Sequence, residues 1–217
     1  MSGWDDFDEE DGESISSLLK NDDVSFFDII AADTVLQELR IDNDDLREYL
    51  SRAENIKLLC EWSMSTIHEE EGTGPDGVDF IVRSKQCTDL LYCRCEFQDV
   101  LIESEEFIAF MNSRLDGADD QDSYTEGHFE LVFMGILEDH KDFLGKFEEP
   151  IKKLARRIDH PAVANMIKRI IVSQNPVNGI KDLIETAQDK PSHLISTIEG
   201  IYSGLEHSGT DADVVFK

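Results

Sequence analysis

The residues best equipped for chemistry are four cysteines, Cys60, Cys87, Cys93 and Cys95, and six scattered histidines. Three thiols cluster between positions 87 and 95, which raises a structural zinc site completed by Cys60 or His128. Such sites draw on cysteines roughly two to four residues apart in paired knuckles. Here one residue separates Cys93 from Cys95 and five separate Cys87 from Cys93, and on a helix neighbouring positions project in different directions. The spacing favours buried or half-buried thiols, with no metal or other cofactor. None of His68, His128, His140, His160, His193 and His207 sits in a nucleophile or zincin motif, and no glycine-rich phosphate loop is present. His160, directly before Pro161, reads as the residue from which a helix starts. With 48 acidic residues, carboxylate pairs occur everywhere and single out no acid or base. The reading is a protein that is not an enzyme.

Positive charge is concentrated instead. Between positions 146 and 169 stand Lys146, Lys152, Lys153, Arg156, Arg157, Lys168 and Arg169 against Glu148, Glu149 and Asp159. These cations are either the solvated sides of two helices or a basic ridge whose arginines grip carboxylates of an acidic partner bidentately. The candidate partner-binding residues are Lys152, Lys153, Arg156, Arg157, Lys168 and Arg169.

The rest of the chain constrains the partner. A net charge of −28 over 217 residues repels DNA, RNA and anionic lipid. No uncharged apolar run approaches the ~18 residues of a membrane span, and the acidic N-terminus lacks a signal-peptide pattern. Unspaced cysteines fit reduced thiols better than a disulfide framework. These features predict a soluble protein of the cytoplasm, with the nucleus as a second compartment.

The elements that must position these residues are helical. From Thr34 to Trp62, Val35, Leu36, Leu39, Leu46, Tyr49 and Leu50 recur at three- and four-residue steps. Thr34 with Gln37, and Ser51 with Glu54, have capping-box spacing, so helices are expected to start near Thr34 and just after Ser51. Ser25 and Ser104 are further candidate caps. Pro161 and Pro176 mark first helical positions. No sustained strand alternation appears. Residues 1–13, with seven acids around Trp4 and Phe7, read as a disordered tail, 14–206 as one helical domain with loops near 68–77 and 116–127, and 207–217 as a frayed end. The fold class is all-α, an irregular HEAT/armadillo-like α-solenoid of stacked helix pairs.

Val35-Leu36-Gln37-Glu38, Tyr49-Leu50, Asn55-Ile56-Lys57, Cys87 with Leu90, Phe129 to Leu144, and Leu154 through Arg169-Ile170-Ile171 follow one another in an order that resembles the N-terminal part of the SAPS family. These are regulatory subunits of protein phosphatase 6 and its fungal counterpart. Ala53 stands where the family favours proline. The resemblance implies a non-catalytic scaffold that binds a serine/threonine protein phosphatase catalytic subunit, with a further adaptor protein as a second partner, and directs it to substrates. The alternative is a general helical adaptor with no phosphatase link.

Overall fold

A computed structural model describes residues 14–21, 23–66, 72–117, 123–174 and 176–209. The expected acidic tail over 1–13, the stretches 67–71 and 118–122 of the two expected loops, and the chain from 210 onward lie outside the described residues. Among the described residues the structure is all-helical. The first half holds α1 (Ile15–Leu18), α2 (Phe26–Ala31), α3 (Val35–Arg40), α4 (Asp44–Leu50), α5 (Ala53–Met64), α6 (Phe80–Leu91), α7 (Phe97–Glu103) and α8 (Glu105–Asp116). The second holds α9 (Ser123–Asp139), a 3-10 turn at Phe143–Lys146, α10 (Pro150–Ala155), α11 (Pro161–Ser173), α12 (Pro176–Thr186) and α13 (Pro191–His207). A lone antiparallel bridge joins Thr73 to Asp79.

Short polar side chains start many of these helices because their oxygens accept the otherwise orphaned first N–H groups. Ser25 and Asp28 form a reciprocal capping box on α2, and Ser104 accepts from the Phe107 amide at 3.2 Å on α8. Asn43 and Asp79 do the same for α4 and α6. Proline begins all four of the last helices, α10 to α13, its locked φ being suited to a first turn.

The run from Thr34 to Trp62 is broken more finely than its spacing suggests. Asp42 adopts φ 55°, a left-handed conformation that splits α3 from α4. Thr34 flanks α3 without a side-chain cap. Ser51 closes α4 instead of opening α5: its hydroxyl donates to the Arg47 carbonyl at 2.6 Å, and Arg52 is the flanking residue of α5. The acidic stretch read as a loop to Gly127 is already helical from Ser123.

Two helices act as hubs. α5 packs on α4, α6, α8 and α9, whereas α11 packs on α9, α10, α12 and α13. Around α5, Trp62 is fully enclosed, edge-on to Phe27 at 5.6 Å and tilted against Phe80 at 6.0 Å. Next to it, Phe129, Phe133, Phe143, Phe147 and Phe107 form a chain of ring contacts. Each large apolar side chain so buried contributes about 1.5–3 kcal/mol. The core is continuous from Ile15 to Leu205.

Candidate interaction surface

The six candidate basic residues lie on or just after α10 and on α11, but they do not form one free ridge. Lys152 pairs with Glu149 at 2.5 Å and Asp182 at 3.8 Å, and Lys153 reaches Asp116 at 2.9 Å and Asn112 at 2.8 Å. Arg157 turns inward, pairing with the buried Glu126 and donating to the Arg114 carbonyl at 2.8 Å. Arg169 spans to Glu138 at 2.5 Å and Glu130 at 3.7 Å. These cations tie helices together across sequence gaps that no local pattern reveals. Arg156 stays exposed, its carbonyl accepting from Lys190 at 2.6 Å. Lys168 is half-buried with no carboxylate at ion-pair distance among the described residues.

Lys168 faces a groove of about 510 Å³ between α9, α11 and α13. Met134, Leu137 and Val172 give it an apolar floor, and Lys141, Lys168, Arg169 and Glu138 give it a charged rim. Gly200 and Gly204 form the third wall. A methyl at Gly200 would fall 2.6 Å from Lys168 Cδ, and one at Gly204 would fall 3.0 Å from Val172 Cγ2. The two glycines let α13 press against α11, and the pairing of 200 with 168 and 204 with 172 shows that both helices run in the same direction. α9 shares that direction, because Asn165 donates to Glu130 while Arg169 pairs with Glu138. Val177 and Ile184 on α12 and Ile195 on α13 are exposed apolar residues.

The thiols separate into two environments. Cys60 and Cys87 are buried between α5 and α6, and desolvation pushes Cys60 well up and Cys87 up to about 12. Cys93 is held down at about 7, first by a hydrogen bond from the Cys95 thiol and then by the Arg40 charge, with desolvation opposing both. Among the described residues, no three His, Cys, Asp or Glu side chains converge as metal ligands.

One arrangement went unseen in the sequence. Ser84 Oγ lies 3.1 Å and Thr88 Oγ1 2.9 Å from His128 Nδ1, and Thr88 also meets Ser63 Oγ at 2.7 Å. The grouping has the parts of a nucleophile and base, but its geometry serves packing. His128 Nδ1 sits 3.0 Å from the Ser63 carbonyl oxygen, an obligate acceptor, so Nδ1 carries a hydrogen and cannot take a proton from Ser84. Ser84 is also fully buried, out of reach of a substrate. The network fastens α5, α6 and α9 at their crossing. Its only sequence signal is the presence of small hydroxyls, Ser63, Ser84 and Thr88, on otherwise apolar helix faces.

Compared with proteins of known function, the chain is similar to serine/threonine-protein phosphatase 6 regulatory subunit 1 of Mus musculus, with 23% identity over 170 residues covering 76% of this chain. The match covers 19% of the mouse protein, so the chain spans about one fifth of the length of that relative. No family model matches, and no solved structure matches.

Proposed function

We propose that this chain is a non-catalytic regulatory or scaffold subunit, which binds a serine/threonine protein phosphatase catalytic subunit of the protein phosphatase 6 type and directs it to substrates. The observation that carries the reading is the similarity to the mouse regulatory subunit over 76% of the chain. Its physical support is an all-helical body in which the polar machinery described above is spent on holding helices together. In this reading the helices of 14–206 stack in pairs as an irregular solenoid, offering a globular catalyst an extended and rigid face. Four free thiols, three of them buried, fit a reducing cytoplasmic or nuclear setting. Of the basic candidates, Arg156 and Lys168 are those best placed to meet an acidic patch on the partner, while Lys152, Lys153, Arg157 and Arg169 hold the underlying helices in place.

Co-purification of the full chain with a protein phosphatase 6 catalytic subunit at low salt tests the proposal. A stable complex that weakens in the Arg156→Glu/Lys168→Glu variant is the expected result. Failure to associate at low salt, with helicity intact, refutes it.

A further inference from the structure

α6 ends at Leu91, and the turn that leads into α7 carries Cys93 and Cys95 with Arg94 between them. We infer that this pair, with Arg40 beside it, is a reversible oxidation site: hydrogen peroxide oxidises the Cys93 sulfur, and Cys95 then closes a Cys93–Cys95 disulfide. The inference is independent of the phosphatase reading, because it concerns how the chain itself responds to an oxidant.

Proximity, charge and access set this pair apart from the other thiols. The Cys95 thiol hydrogen-bonds to the Cys93 sulfur and lies 3.6 Å from the Cys93 carbonyl oxygen, so the two side chains already face one another. The single residue between them holds their Cα atoms within about 7 Å, near the upper end of what a disulfide spans. Arg40, the last residue of α3, hydrogen-bonds to Cys93 and favours its thiolate, with the Asp42 carboxylate opposing. A thiolate held by a cation and next to a second thiol is the setting in which a sulfur is oxidised and then resolved. Cys93 keeps 4% exposure and Cys95 is half-buried, so a reagent little larger than water reaches the site. Cys60 and Cys87 are also neighbours, but both are fully buried and desolvation keeps both as thiols. The molecule thus carries its own unreactive control.

The Cys93 thiolate attacks one peroxide oxygen, the O–O bond breaks, and a sulfenic acid and hydroxide form. Hydroxide takes the Cys95 proton, the Cys95 sulfur attacks the sulfenic sulfur, and the S–O bond breaks. Counted from two thiols, one peroxide is reduced to two waters while the two sulfurs are oxidised to one disulfide. Ring closure draws the turn inward at a junction of helices. Arg94 pairs with Glu138 at the end of α9, the Glu96 amide donates to Asp42 at 3.1 Å, and the Glu96 carboxylate meets Arg47 at 2.7 Å. Oxidation therefore acts on the ties from this turn to α4 and α9, and a thiol reductant restores them.

Peptide mapping of the reduced full chain, treated with hydrogen peroxide and quenched with N-ethylmaleimide, tests the inference. The expected product is a monomer in which the segment bearing Cys93 and Cys95 has lost about 2 Da, two hydrogens, and regains them with dithiothreitol. Cys60 and Cys87 should remain free thiols, labelled only after denaturation. In Cys95→Ser the Cys93 sulfenic acid should persist and be trapped by dimedone, and in Arg40→Gln the oxidation should slow several-fold, with the helicity of both variants checked by circular dichroism. The product of the unaltered chain decides the matter even where a variant fails to fold. Absence of the mass loss, crosslinked dimers in place of the monomer, or oxidation of Cys60 and Cys87 as fast as Cys93 overturns the inference. So does a folded Cys95→Ser that dimedone does not label at Cys93, or a folded Arg40→Gln oxidised at the original rate.

Discussion

The α5–α6–α9 crossing and the α9–α11–α13 groove share one helix and treat polar groups in opposite ways. At the crossing, hydroxyls, an imidazole and two thiols are enclosed, and Ser63, Thr88 and His128 find one another within 3.0 Å. At the groove, small residues remove bulk, and Lys141 and Lys168 stand at an opening whose one acidic lining residue, Glu138, is engaged by Arg169. The first region specifies how helices meet, because a buried polar group without its partner costs more than the bond itself contributes. The second leaves its surface to something that arrives later.

That contrast can be broken most sharply at the aromatic centre near the first region. Trp62→Ala should cost about 3–5 kcal/mol by cavity creation, read as a lower midpoint in urea unfolding. A loss below about 1 kcal/mol would mean that the ring is not enclosed as described. Next comes the ion pair that ties α9 to the turn after α10. Glu126→Ala leaves Arg157 without its carboxylate in a closed site and should cost about 3 kcal/mol, whereas Glu126→Leu with Arg157→Met should recover most of that loss. Equal instability of both variants would show that the pair's charge is not what matters there. Ser84→Ala removes one hydroxyl from the network but leaves His128 its contacts with Thr88 and the Ser63 carbonyl, and should cost about 0.5–1.5 kcal/mol in the same assay. Lys168→Glu, on the groove side, should change stability by no more than about 0.5 kcal/mol. A large loss would move Lys168 from the surface into the structural set.

The thiols sharpen the comparison through pH. Cys93, held down at about 7 from its ordinary 9.0, favours the folded chain as a thiolate. That contribution is complete above pH 9 and is lost as pH falls through 7. Cys87, pushed up to about 12, acts the other way, since its ionisation above pH 9 is favoured only by unfolding. Alkylation of the folded protein should therefore label Cys93 with a rate that rises through neutral pH, while Cys95, pushed up by its hydrogen bond to Cys93, lags behind it and Cys60 and Cys87 react only on denaturation. Early labelling of Cys87, located by peptide mapping, would contradict the sealed interface.

Local signals were legible where the physics is local. Three- and four-residue spacing gave the helical class, Ser25 and Ser104 cap as their positions suggest, and Pro161 and Pro176 head helices. The same prolines at 150 and 191 do so too and were passed over. Ser51 misled because one hydroxyl can serve the helix behind it as well as the one ahead, and here the Arg47 carbonyl was nearer. The basic stretch misled in a different way. Its residues are close in sequence, but the carboxylates that engage them, Asp116, Glu126, Glu130 and Glu138, belong to α8 and α9, so only the folded arrangement shows which cations are consumed. His128 and its hydroxyl neighbours were illegible for the same reason: the bonds join three helices.

The bare contact of Gly200 and Gly204 against α11 has a mechanical consequence. Because α13 offers only backbone at these points, the Lys168 and Val172 side chains rest directly on it, and sliding either helix past the other would drive neighbouring side chains into them. Any pull exerted on the far end of the molecule is therefore handed to α11, and through the Arg169 and Asn165 ties to α9, as a displacement of the whole unit and not as a bend within it.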